Sequence, residues 1–218
     1  MSGSGFFFPL LLVILGLSAW IALGFSRGRR RNRQIYLSAF HDLVRVFRPD
    51  DQTFTNIGGY VGHHATFCFR EKACVCEIDA TITLLPRHAP LYMPVSRSLM
   101  GSDRLFISFY MRYAPPGEGH LIESGYTRFK WSRITNAYRM TREDIQWGDH
   151  SFYLFYESVK LRHLFMKLIE SHRYPGVVRH IAINPEQKRA FIFMIPEEGR
   201  VESSLVPVYE WFQTVFPR

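Results

Sequence analysis

Cysteine is scarce in this chain: three among 218 residues, Cys68, Cys74 and Cys76. An odd, clustered set excludes the even and dispersed framework of a disulfide-stapled secreted domain and fits thiols kept reduced. A G-x-x-x-x-G-K-[ST] loop and a G-x-G-x-x-G fingerprint are both missing, and Gly58-Gly59 followed by Gly62 is too loosely spaced to cradle a phosphate by itself. No internal repeat, heptad run or low-complexity tract is present, which excludes solenoids and extended coiled coils. The absence with the largest consequence is of charge: between Phe6 and Phe25 no side chain is ionisable.

That uncharged run organises the rest of the chain. At about 1.5 Å per residue, roughly 20 helical residues cross the roughly 30 Å hydrocarbon core of a bilayer. Pro9 falls in the first turn, where a missing N–H costs little, and Gly16 and Gly24 are tolerated in lipid. The run is apolar on every face, unlike a helix that packs one side on a soluble core. Arg27, Arg29, Arg30, Arg31 and Arg33 come directly after it. Such a cluster resists translocation and is drawn to anionic lipid on a cytoplasmic leaflet. A cleaved signal peptide would carry its basic residues ahead of a shorter apolar stretch. The flanks therefore predict an uncleaved signal anchor and a single-pass topology. The N-terminus is expected outside or in a lumen, and everything from Arg27 onward in the cytosol.

The chain beyond the anchor is rich in material for a core. Hydrophobic residues make up 47% of the sequence and aromatic residues 16%, which excludes disorder. Removing the five juxtamembrane arginines from the formal net charge of +8 leaves +3. The basicity thus belongs mainly to the anchor, and an anionic bilayer is a better-matched partner than DNA.

Residues 31–48 predict an amphipathic helix with Ile35, Phe40, Leu43, Val44 and Phe47 on its apolar side, ended by Pro49-Asp50-Asp51. It either continues from the span or bends at Gly28 to lay that side on the domain; the other arrangement is flat in the headgroups. Period-two patterning predicts a hairpin over 60–70 and 74–85. Its second strand sets Cys74, Cys76, Ile78, Ala80, Ile82 and Leu84 on one face, with Glu77, Asp79, Thr81 and Thr83 on the other. Pro86, Pro90 and Pro94 then interrupt the chain. Further strands are predicted over 104–113, 126–134 and 151–156, with a helix over 157–172. A hairpin of 177–183 with 190–195 and a closing helix over 202–216 complete the series. This order predicts an α+β fold, a single N-terminal transmembrane helix followed by helices packed on an antiparallel sheet. It falls in three parts: the anchor over 1–26, the basic juxtamembrane helix over 27–48 and a cytosolic domain over 49–218.

Four groupings of residues bear on chemistry. His63, His64, Cys68, Cys74 and Cys76 are potential metal ligands, but their spacing matches no common zinc pattern, and adjacent His63 and His64 point to opposite faces of a strand. A Cys-His nucleophile could be drawn from Cys68 and any of nine histidines, with no local signature favouring one pair. Glu77 and Asp79 share a strand face, as paired carboxylates must, and a solvated face explains them equally well. Arg128, Lys130, Arg133, Arg139 and Arg142 lie among Tyr126, Phe129, Trp131, Tyr138 and Trp147, a mixture that can neutralise phosphates and stack on RNA bases, or that can form a strand with a solvated basic face and a buried aromatic one. No catalytic set, metal set or cofactor site is expected from these groupings.

Three stretches carry a family likeness: 31–46 after the span, Met93-Pro94-Val95-Ser96, and 188–196, which reads KRAFIFMIP ahead of the closing helix. With the preceding span they resemble the membrane-anchored core of the calumin family, coiled-coil-domain-containing proteins of the endoplasmic reticulum that join the multipass translocon. The resemblance implies a non-enzymatic assembly factor or chaperone for membrane-protein insertion. Its implied partners are the insertion machinery and, through a charged C-terminal coiled coil, the ribosome. That coiled coil and the family's acidic luminal segment have no counterpart here, so the resemblance implies a minimal version. Two other classes of function are compatible with the residues: a membrane-tethered enzyme or metal-binding domain centred on 63–76, and a membrane-anchored interaction module touching RNA.

Overall fold

The computed structural model describes residues 4–70, 74–127, 134 and 136–215. It opens on α1 (Ser4–Phe47), 44 residues without a break. The helix is long and apolar enough to cross a membrane near the N-terminus, and none of its apolar window is buried by protein. Arg48 ends it at a φ of +47°, with its N–H donating to the Val44 carbonyl at 2.9 Å. Pro49 cannot continue the ladder.

The remainder is a nine-stranded antiparallel sheet with helices, so the α+β fold with one N-terminal candidate span is the fold observed. Its strands are β1 (Asp51–Asn56), β2 (Gly62–Cys68), β3 (Val75–Thr83), β4 (Arg104–Met111), β5 (Gly119–Glu123), β6 (Thr141–Trp147), β7 (His150–Tyr156), β8 (Val178–Asn184) and β9 (Arg189–Met194). They lie side by side in the order β1-β2-β3-β4-β9-β8-β5-β7-β6. The central strands β8 and β9 are almost wholly buried. Three helices complete the fold: α2 (Met93–Met100), α3 (Val159–Ser171) and α4 (Val201–Val215).

The C-terminal half of α1 packs with α3 and α4 on one face of the sheet. Phe47 meets Phe109 of β4 and Tyr209 of α4 with ring centroids 5.7 and 5.2 Å away, and Phe165 meets Trp211 at 4.9 Å. Alternation supplies the sheet's side of this core: Ala65 and Phe67, Ile78 and Ala80, Ile107 and Phe109 are all fully buried. Ser158 starts α3 by accepting the Leu161 N–H at 3.3 Å. The opposite face carries His64, Thr66, Asp79 and Tyr110, which are linked by hydrogen bonds. Farther along that face Tyr126 packs on Phe193.

Several elements differ from the sequence-based expectation. The helix over 31–48 is not among them: of the expected arrangements it takes the first, running on without a bend from the apolar half of α1 with its apolar residues buried against the sheet. A β-bulge between Val75 and Glu77 shifts the register there, so Val75 takes the core position and Cys76 is exposed instead of sharing the face of Ile78. The proline-interrupted stretch contains α2, whose Pro94 sits in the first turn, where proline is tolerated. The strand expected over 126–134 begins in a 3-10 turn, Ser124–Tyr126, and 128–133 lie outside the described residues. Strands β1, β5 and β6 had no sequence-based counterpart.

Candidate membrane-proximal docking site

One stripe of α1 faces the domain: Gly24, Gly28, Asn32, Ile35, Ala39, Leu43 and Phe47, spaced three or four residues apart. Its first members are glycine for a steric reason. A Cβ at Gly28 would overlap the Arg87 carbonyl, and one at Gly24 would overlap the Pro90 ring. One turn on, buried Asn32 donates to the carbonyls of Tyr60 and Leu85 at 3.0 and 2.9 Å, and its Oδ1 accepts from Arg87 at 3.1 Å. Arg87 forms a two-pronged pair with Asp103, at 2.8 and 2.7 Å. Asp103 Oδ1 also accepts the Leu85 N–H at 2.8 Å. Helix, loop and sheet are thereby locked where the apolar half of α1 ends.

Beside this lock runs a groove of about 610 Å³ between α1 and β1, lined by Tyr36, Leu37, Phe40, Val44 and Phe54, with His63 at its base. Strand β1 is exposed along its whole length. It pairs with β2 alone among the described residues, leaving one edge without a strand. Half-exposed Phe54 packs on Phe40 and Phe67, with centroids 5.5 and 6.1 Å away. His63 stacks on Tyr36 at 3.8 Å. Burial lowers the pKa of the His63 imidazole, favouring its neutral form, and its Nε2 has no hydrogen-bond partner among the described residues. Toward the apolar half of α1, Tyr36 and His63 also line a second pocket of about 340 Å³ with Arg29, Arg33, Asn56 and Tyr60. The Arg29 guanidinium lies 4.9 Å over the Tyr60 ring. An apolar trough beside an open strand edge, with a basic end and a buried polar group at its base, is suited to an extended peptide segment.

The five juxtamembrane arginines, Arg27, Arg29, Arg30, Arg31 and Arg33, are all exposed. They do not form one uniform strip: Arg31 pairs with Glu198, while Arg29 and Arg33 turn to the pocket just described. Of the basic-aromatic cluster, Arg128, Lys130 and Arg133 lie outside the described residues. Arg139 lies 5.2 Å over the ring of its neighbour Tyr138. Arg142 is on β6, paired with Asp144 at 3.2 Å and 3.9 Å over Tyr153, so its charge is partly compensated. His64 lies on the other side of the sheet from His63, hydrogen-bonded to Thr81. Cys68, Cys74 and Cys76 are free thiols. Among the described residues no three His, Cys, Asp or Glu groups converge on a point where a metal ion could sit.

A second polar grouping, on the face away from the helices, had no sequence-based counterpart. His120 joins His180 at 3.3 Å and Glu118 at 3.2 Å, and Asn136 donates to Glu118 at 2.9 Å. Burial pushes the pKa of both imidazoles down, for His180 well below its ordinary value, with the adjacent His120 adding to the effect; Glu118 partly opposes it at His120. A cavity of about 300 Å³ lies alongside, bordered also by Ser108, Asn184 and Arg189. Among the described residues no hydroxyl or thiol is hydrogen-bonded to either ring, so no activated nucleophile is assembled there. Its one sequence signal is two histidines on alternating apolar strands, too common a pattern to single out.

These features define an α+β protein with one N-terminal helix long and apolar enough to span a membrane and a peptide-sized groove close to that helix. No family model matches the chain, and no curated protein sequence matches it.

Proposed function

We propose that the protein is a non-enzymatic, membrane-anchored assembly factor that holds an extended segment of a membrane-protein partner in the groove between α1 and β1. The observation that carries this reading is the open edge of β1 beside an apolar trough, both attached to the anchor helix itself. Strand addition would satisfy the partner's backbone while Leu37 and Phe54 receive its apolar side chains. Arg29 and Arg33 would favour an acidic group at the membrane end. With the cytosol on the arginine side, such a segment would be one emerging from the bilayer or waiting to enter it. The calumin likeness belongs to the same proposal and nominates the insertion machinery as the setting.

A photo-crosslinking residue at Phe54, in the full-length protein in its own membranes, tests this. Crosslinks to segments flanking membrane spans of other proteins, lost on substituting the exposed groove residue Leu37→Asp, are the expected result. Crosslinks from position 54 to lipid alone, or to the same partners at undiminished yield in Leu37→Asp, overturn it.

A further inference from the structure

The loop between β3 and β4 does not return directly. It runs out along α1, forms α2 and returns to Arg104. Ser18, Ile21, Ala22 and Phe25 of α1 border one apolar hollow together with Pro90 and Leu91. The Phe25 ring meets His88 and Tyr60 edge-on, with centroids about 6 Å away. Ser18 precedes Phe25 by seven residues, about 10 Å of helical rise. If this part of α1 is in hydrocarbon, the loop packed against it cannot be in bulk water.

The surface chemistry of the loop agrees. Leu91, Tyr92, Val95 and Leu99 are 67, 54, 52 and 71% exposed. Their spacing puts them along one side of the turn leading into α2 and of α2 itself, while Ser96 is buried against the protein. No Asp or Glu occurs from 86 to 102, and Arg97 supplies an exposed positive charge on α2. An apolar stripe, a tyrosine at its edge and a cation beside it together match the interface of an anionic bilayer. The base of the loop is fixed by Arg87–Asp103 and by Arg104, which donates to the Met100 carbonyl at 2.7 Å.

We propose that residues 86–101 are a second membrane contact: a rigid ledge whose apolar stripe rests in the headgroup and upper acyl region of the same leaflet, beside the span. The inference rests on reading the apolar half of α1 as a membrane span. It is independent of the groove, which opens beside β1.

The test is spin-label accessibility in the full-length protein, in bilayer discs of phosphatidylcholine and phosphatidylglycerol, with Cys68→Ser, Cys74→Ala and Cys76→Ser as background. Single labels are placed through Leu91→Cys, Val95→Cys and Leu99→Cys, with Leu15→Cys as the reference for the span. The expected result is that the ledge labels track the Leu15 label, accessible to oxygen and shielded from a water-soluble nickel complex. Ledge labels open to nickel while the Leu15 label is shielded would overturn the ledge and leave the span intact. Ledge labels shielded from both reagents would assign the stripe to a protein contact, a second copy included, and overturn it equally. A Leu15 label open to nickel would remove the span reading and the ledge with it.

Discussion

The carboxylate of Asp42, on α1, accepts the backbone N–H of Glu202 at 3.2 Å, and so caps the first turn of α4 from a helix 160 residues earlier in the sequence. Asp42 is buried. Its negative charge meets the positive end of the α4 dipole, and Arg45 pairs with Glu202 at 3.2 Å alongside. Ser38 supports the same approach by accepting the Gly199 N–H at 3.1 Å. Replacing Asp42 by alanine is expected to destabilise the domain by about 1–2 kcal/mol, with asparagine recovering part of the loss because it still accepts the hydrogen bond. Denaturant midpoints of the detergent-solubilised protein measure both.

Asp103 has three donors on its two oxygens: both prongs of Arg87 and the Leu85 amide. Asp103→Ala strands a half-buried guanidinium and an amide, with an expected loss of about 2–4 kcal/mol. Arg87→Met in the same chain is expected to restore part of that loss, because it removes the unpaired charge. A double-mutant cycle read by chemical unfolding gives the coupling.

Gly28 and Gly16 are both glycines on α1, with opposite surroundings. A methyl at Gly28 collides with the Arg87–His88 backbone, whereas one at Gly16 meets nothing. Gly28→Ala is expected to cost about 1–3 kcal/mol and to sensitise the loop before α2 to protease. Gly16→Ala is expected to leave both readouts unchanged. Limited proteolysis and thermal unfolding distinguish the pair.

His63, His120 and His180 are all shifted toward the neutral form by burial. With a folded pKa below the unfolded value near 6.5, the unfolded state binds more protons as pH falls. Their contribution to stability is therefore fully present above about pH 7 and is lost as pH drops through 6.5, at up to about 1.4 kcal/mol per pH unit for each group that remains neutral. His180→Leu is expected to flatten that acid limb. Unfolding midpoints between pH 7.5 and 5 provide the comparison.

Legibility in the sequence depended on whether neighbouring residues carried the cause. The long apolar stretch at the N-terminus, the apolar side of 31–48, the alternation over 104–111 and the hairpin of 178–184 with 189–194 are local patterns, and the structure has those elements within a few residues. Strand β1 escaped because all six of its residues are exposed, so an edge strand carries no apolar alternation. The Cys76 position escaped because a bulge reverses inside and outside without any residue announcing it. The site was the least legible part. Asn32, Arg87 and Asp103 are separated by 55 and 16 residues, and nothing near any of them shows that they meet. In sequence the glycines at 24 and 28 are tolerable in a membrane helix or mark a bend; in the structure they are points of closest approach between helix and loop. Both polar constellations that the structure does assemble, His63 at the base of the groove and Glu118–His120–His180, depend on pairings across the sheet.

The unbroken course of α1 makes the molecule a lever. From Phe25 to Phe47 the helix runs 22 residues, about 33 Å, with no hinge between. A tilt of about 20°, common for single spans, would carry its far end sideways by about 11 Å. Because the domain is clamped to the upper arm at Gly28, Asn32 and Asp42, it turns with that arm as a unit. With the apolar half of α1 in a bilayer, any change in its tilt, hydrophobic mismatch being one cause, would change the height and heading of the open β1 edge above the lipid.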